Sequence, residues 1–278
     1  MSDFIKSKPV QDNKLRQLKH PMPESVYYHL QTQKISGIAK CSPLYIAQYS
    51  TQFIDSNLAS SDNIVSDSFQ VSKSGLSELT ISNFYLSEEE LRILSAKANL
   101  KKRTEFICSR YLIKKMADIP LEDFKQYTVK YSEEHQCVGI FTLMNNGKSD
   151  TQSGDNKEVD NNEEIIQRLS LSHSGAYVAF MFYSKEQPVG LDIEVIKPRD
   201  FLKIAEEFFS QDDIQLLSQS LQLQQDFFSL WTTKEAVAKL TNTSVFDMLS
   251  VSGQTIEQRY NTQKLMTKAY SCSIACSQ

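Results

Sequence analysis

The sequence predicts an α+β fold with antiparallel sheets, and three observations carry that expectation. Helix-period stretches and strand-like runs are mixed along the chain without a regular βαβ rhythm. Two adjacent strand-like runs, RLSLSHSG and AYVAFMFY, meet at Ser174-Gly175 in the manner of a hairpin. The 278 residues, 40% hydrophobic and 23% charged, have the composition of a soluble globular protein and the length of about two compact units.

Residues 1–75 are polar and become serine-rich, as in SNLASSDNIVSDSFQVSKSG, and read as an N-terminal extension. Their apolar content is confined to patches such as Pro43-Leu44-Tyr45-Ile46-Ala47. The segment ELTISNFYL is strand-like and ends at Ser87, which with Glu90 forms a capping box for a helix start. Phe106, Ile107, Tyr111 and Leu112 approximate an apolar stripe, so helix in one or two pieces is expected to about Ala117, before Pro120.

Residues 145–164 are polar throughout and read as a surface loop. After the hairpin comes a third strand, PVGLDIEVI. Phe201, Ile204, Ala205, Phe208 and Phe209 then mark one apolar helix face beginning near Asp200. Ser210 starts another helix, a long helix covers about Gln224 to Leu240, and AYSCSIAC reads as a last strand.

Composition narrows the function classes. A formal net charge of −4 argues against a protein that coats nucleic acid, which needs a basic surface. The five cysteines are irregularly spaced with no Cys-x-x-Cys, so neither a disulfide framework nor a zinc site is indicated, and free thiols suit a reducing cytoplasmic compartment. The first residues lack the apolar run of a secretory signal, and no stretch approaches the roughly 20 apolar residues that span a bilayer.

Four motifs bear on chemistry. In Gly190-Leu191-Asp192-Ile193-Glu194-Val195, strand alternation sends Leu191, Ile193 and Val195 into a core and sets Asp192 and Glu194 side by side on the other face. Such a pair suits magnesium, which takes one or two carboxylates plus waters and phosphates; a solvated strand edge is the alternative. In Leu230-Trp231-Thr232-Thr233-Lys234-Glu235-Ala236-Val237-Ala238-Lys239, Glu235 and Lys239 share a helix face and read equally as an exposed ion pair, with Trp231 as core. In Leu171-Ser172-His173-Ser174-Gly175, the histidine can donate to a phosphate or serve the turn. Arg103 and Arg110, among Lys101, Lys102, Lys114 and Lys115, lie on roughly one helix face, able to grip a phosphate or simply to face solvent.

In order and spacing, SLSHSG, PVGLDIE, IAEEFFSQDDI and FFSLWTTKEAVAK resemble the Sfp-type 4′-phosphopantetheinyl transferases across about residues 168–240, with LSEEEL and RTEFICSRYLIKKM similar to that family's first helical region. The resemblance implies two similar lobes related by a pseudo-twofold, each an antiparallel sheet packed with helices, with the active site in the cleft between them. It sets the lobes at 76–187 and 188–278. It implies a transferase that moves the phosphopantetheine arm of coenzyme A to a serine of an apo acyl or peptidyl carrier protein, releasing adenosine 3′,5′-bisphosphate.

By the same resemblance, Asp192, Glu194 and Glu235 hold magnesium, while Lys239, Ser172, His173, Arg110 and Arg103 meet coenzyme A. Glu235, Lys239 and Asp213 are the catalytic candidates, and Asp213 competes with its own capping role after Ser210. The expected chain is a cytoplasmic monomer with no nucleic-acid or membrane partner. The alternatives are a non-catalytic module that binds carrier proteins or nucleotides, and a magnesium-dependent phosphodiesterase. The family's glycine-rich turn after the lysine is replaced here by Leu240-Thr241-Asn242-Thr243.

Overall fold

A computed structural model describes residues 28–33, 43–49, 85–143 and 163–278. Within them lie two antiparallel sheets and their helices, the α+β arrangement expected. The six-stranded sheet runs β1-β2-β6-β5-β4-β3, from β1 (Tyr28–Gln33), β2 (Leu44–Tyr49), β3 (Tyr127–Ser132), β4 (Cys137–Leu143), β5 (Glu163–Ser174) and β6 (Tyr177–Tyr183). The three-stranded sheet runs β7-β9-β8, from β7 (Val189–Val195), β8 (Tyr260–Met266) and β9 (Tyr270–Ser277).

The N-terminal stretch is therefore not wholly an extension. The apolar patch at Leu44 becomes β2, which pairs with β6 and buries Leu44, Ile46 and Ala47. Of the strand expected at ELTISNFYL, residues 78–84 lie outside the described set, and Leu86-Ser87 is an irregular lead into a helix. The expected loop at 145–164 lies outside it too, up to Glu163, where β5 already begins.

Alternation along β6 decides the layering. Val178, Phe180 and Phe182 face helices α1 (Glu88–Ser95) and α2 (Leu100–Met116), in a core with Phe106, Ile107, Tyr111 and Leu112. Ala179 and Met181 face the other way, joining Leu44 and Ile46 against Leu191, Ile193, Cys272 and Ile274 of the second sheet. The sheets thus share one apolar layer. Outside the second sheet lie α3 (Phe201–Phe208), α4 (Gln211–Ser218), α5 (Leu223–Thr241), α6 (Val245–Leu249) and α7 (Gly253–Arg259). Trp231 stacks on Phe227 within the α3–α5 core, the packing role its sequence context suggests.

One device occurs in both halves of the chain. Ser87 and Glu90 form the capping box that starts α1, and the Glu90 carboxylate pairs at 2.6 Å with the buried Lys114 of α2. Ser210 and Asp213 open α4, and Asp213 pairs at 2.7 Å with the buried Lys234 of α5. Each ammonium also donates to two backbone carbonyls, Tyr85 and Phe124 for Lys114, Leu249 and Val251 for Lys234. Each carboxylate also accepts a backbone N–H, from Val129 and from Gly253. Burying such a pair is tolerable only when the remaining donors and acceptors are satisfied, as they are here.

Two local features aim the site. At Gly175 the hairpin turns with φ 62°, a conformation that favours glycine, and an added Cβ would meet Val195 at 2.7 Å. At Gly190, β7 crosses α5 so closely that a Cβ would lie 1.8 Å from the carbonyl oxygen of Ala236. The departure after Lys239 resolves simply: Asn242 ends α5 in the left-handed conformation, φ 52°, doing what a glycine would do there.

Because that crossing leaves no room for a methyl group, Gly190→Ala should destabilise the fold by about 3 kcal/mol or more. Equilibrium denaturation with urea measures it, and an unchanged midpoint would show that β7 and α5 are not in this contact.

Candidate metal and phosphate site

The site forms where the exposed edge of β7 meets β5 and one face of α5. Asp192 and Glu194 are neighbours on β7, on the face turned away from the apolar layer. On α5, Thr232, Glu235, Ala236 and Lys239 follow at intervals of three and four residues and so share a face. Thr232 is fixed by hydroxyl contacts of 3.1 and 2.7 Å with Ser271 and Ser273 of β9, and Ala236 rests on Gly190. Glu235 and Lys239 are thereby directed at the β7 carboxylates.

Asp192, Glu194 and Glu235 each offer a carboxylate oxygen, and these atoms lie within 4.8 Å of one another. Asp192 is 1% exposed. Its Oδ1 accepts from Ser172 Oγ at 2.7 Å and from Lys239 Nζ at 2.7 Å, while its Oδ2 is buried without a hydrogen-bond donor. Glu194 Oε2 accepts from Ser174 Oγ at 2.8 Å. The ion pair that sequence spacing offered between Glu235 and Lys239 is not the one formed: Lys239 reaches across to Asp192.

Electrostatics records the crowding. Burial first, and then the neighbouring Asp192 charge, push the Glu235 carboxyl up to about 8. Burial likewise raises Glu194, partly offset by the Ser174 hydroxyl. The Lys239 ammonium on Asp192 relieves part of the repulsion. A small divalent cation would relieve more of it. Three oxygen donors at this separation, one of them orphaned and buried, fit magnesium chemistry, which retains waters and phosphate oxygens beside a few carboxylates.

The other expected residues fall in different places. His173 points away from the carboxylates toward α2, where Nδ1 lies 3.0 Å from Glu105, and it is 55% exposed. Arg110 lies with its guanidinium stacked over Phe106 and donating to Ser109 Oγ and the Val129 carbonyl, and burial lowers it to about 10. These contacts are all within its own half of the chain. Arg103 donates to the carbonyls of Leu94 and Lys97 at the end of α1, so it too is engaged within its own half.

Asp213 sits in the first turn of α4, where its N–H donates to the capping Ser210, and its carboxylate pairs with the buried Lys234 and accepts from Ser210 Oγ and the Gly253 N–H. Sequence reasoning passed over Lys234 and gave Ser174 no role. The signal for Ser174 was present: Ser-x-Ser on β5 has the same two-residue period as Asp-x-Glu on β7.

Comparison with known proteins points the same way. Residues 188–277 match the model of the 4′-phosphopantetheinyl transferase superfamily, which spans both β7 and α5. The resemblance carried by the motifs is thus found independently over residues 188–277. Among individual proteins, the chain is 42% identical to 4′-phosphopantetheinyl transferase psf-1 of Bacillus pumilus over 109 residues, covering 38% of this chain and 46% of that one. It is 43% identical to 4′-phosphopantetheinyl transferase Sfp of Bacillus subtilis over 73 residues, 26% of this chain and 31% of the other. It is 39% identical to 4′-phosphopantetheinyl transferase AcpT of Salmonella typhimurium over 86 residues, 30% and 44% of the two chains. The chain spans less than half the length of these relatives. Among the described residues, no helix is long and apolar enough to cross a membrane.

The raised Glu235 carboxyl has a measurable effect on stability. The folded chain holds this proton more tightly than the unfolded chain, so the stabilisation is complete below the ordinary glutamate range and is lost as pH rises through about 8. Without divalent metal, the melting temperature should fall by several degrees between pH 5.5 and pH 8.5 (both roughly set by that window). Glu235→Gln should flatten the profile. A wild-type profile as flat as the variant's would show that this carboxyl is not crowded.

Proposed function

We propose that this chain transfers the 4′-phosphopantetheine arm of coenzyme A to a serine hydroxyl of an apo carrier protein, with magnesium held by Asp192, Glu194 and Glu235. The observation that carries the reading is the convergence of these three carboxylates, from two separate elements, around the orphaned Asp192 Oδ2. The match of residues 188–277 to the transferase superfamily supports it.

The physical problem is to bring a polyanion to a nucleophile and to stabilise charge on the group that leaves. When bound, magnesium would neutralise the pyrophosphate of coenzyme A and the departing bisphosphate. Lys239, held at the rim by Asp192, presents its remaining N–H groups to the same oxygens. Glu105 fixes His173 through Nδ1, which leaves Nε2 as the ring nitrogen for a terminal phosphate.

In the reaction the carrier serine oxygen bonds to the β-phosphorus, the bond from that phosphorus to the bridging oxygen breaks, and adenosine 3′,5′-bisphosphate leaves. The serine proton must pass to a base. Glu235 meets that demand by position, since it stands half-buried beside Asp192 and Glu194. Asp213 does not, since its oxygens are already engaged with Lys234, Ser210 and Gly253. With two substrates bound side by side, no covalent enzyme intermediate is required.

Incubation with apo carrier protein, coenzyme A and magnesium, followed by mass spectrometry of the carrier, tests the proposal. The wild type should add one phosphopantetheine arm. Asp192→Ala should lower the rate on the order of 100-fold or more while remaining folded. No gain of mass across fatty-acid, polyketide and peptide-synthetase carriers would refute the transferase reading, and breakdown of coenzyme A without carrier labelling would favour a phosphodiesterase.

A further inference from the structure

Between β5 and β7 the chain builds a ladder of two hydroxyls. β7 is the edge strand of its sheet, paired only with β9, so alternate backbone N–H groups face outward toward β5. The Ile193 N–H donates to Ser172 Oγ at 3.3 Å, and the Val195 N–H donates to Ser174 Oγ at 3.1 Å. A serine hydroxyl has a single proton to give. Each is directed onto a carboxylate, Ser172 to Asp192 Oδ1 at 2.7 Å and Ser174 to Glu194 Oε2 at 2.8 Å.

Both serines therefore do the same two things. They satisfy a strand edge that no backbone partner covers, and they tie down one oxygen of the acidic side chain just before that edge amide. At Asp192 the tie is reinforced by Lys239 on the same Oδ1, and it is Oδ2 that remains buried and unclaimed.

We propose that Ser172 and Ser174 are positioning residues that restrict Asp192 and Glu194 to one metal-binding oxygen each, and so set a preference for magnesium over calcium. This rests on the reading that the three carboxylates hold a divalent cation. Calcium accepts six to eight oxygens and readily takes both oxygens of a carboxylate, whereas magnesium requires a compact octahedron and keeps its waters. Carboxylates that can each spare a single oxygen supply the second arrangement and starve the first. The groups that orient metal ligands change affinity by about 10–100-fold when lost.

Ser174 is the informative position. It is half-buried, so water can replace it at the Val195 N–H, whereas Ser172 is buried and alanine there would strand the Ile193 N–H. Isothermal titration of the full chain with magnesium chloride and with calcium chloride, in the absence of coenzyme A and carrier, tests the inference. Ser174→Ala should weaken magnesium binding about tenfold, leave calcium binding unchanged or tighter, and keep the wild-type melting temperature in EDTA to within a few degrees. Ser174→Thr, which retains the hydroxyl, should restore the wild-type ratio of affinities. Equal magnesium affinity in Ser174→Ala, or an equal loss for both metals, overturns the ladder's role and leaves the metal reading standing. A wild type that binds neither ion overturns both. Magnesium binding with the predicted selectivity but no carrier labelling would overturn the transferase reading alone.

Discussion

Three carboxylates within 4.8 Å of one another, one of them almost fully buried, repel each other and lose hydration at the same time. That arrangement is unfavourable by itself, and much of the surrounding structure can be understood as what holds it in place. Part of the repulsion is relieved by the Lys239 ammonium on Asp192, and what is left raises the proton affinity of Glu235. The remainder is a standing attraction for a compact cation. A site that is costly in isolation and favourable when charged with metal and phosphate has the electrostatic character a phosphoryl-transfer centre requires.

The scaffold supplies rigidity from both sides. β7 is pressed between the apolar layer under Leu191 and Ile193 and the crossing helix at Gly190, so its acidic side chains have little freedom to spread apart. α5 is anchored by Thr232 on β9 and by Lys234 in its buried pair with Asp213. Removing one partner of such a pair leaves an uncompensated buried charge, which is destabilising by about 3–5 kcal/mol. The helix that delivers Glu235 and Lys239 is thus fixed by the residues that precede each of them. The corresponding pair of Glu90 and Lys114 anchors α2 in the first half, behind the strand that carries the serines.

Legibility in the sequence followed the physics of each signal. Strongly patterned elements read well: the apolar period through Phe201–Phe209, the capping serines at Ser87 and Ser210, and the alternation of β7 at Leu191 and Ile193 match the structure, although Val195, expected in the core, is only half-buried at the strand's end. Strands β3 and β8 carry mixed polar residues whose burial depends on distant neighbours, and local pattern did not mark them; β4, CVGIFTL, is a short apolar run that the reading passed over. β2 was visible only as an apolar patch in polar surroundings, since its partner β6 lies more than a hundred residues away. At the site, residue type and spacing singled out Asp192, Glu194, Glu235 and Lys239, and the fold brings these four side chains together. Arg110 and Asp213 show the limit: a basic or acidic side chain has the same letter whether it meets a substrate or a buried carbonyl. Only the fold separates the two, by placing Arg110 on Phe106 and Asp213 on Lys234.

The most direct measurement is a crystal soaked with manganese, whose anomalous scattering locates a magnesium-like ion without reference to turnover. The account predicts a single strong peak bounded by Asp192, Glu194 and Glu235, with Asp192 Oδ2 among its ligands. A peak elsewhere with these three side chains unliganded, or the carboxylates found turned apart into solvent, would contradict it.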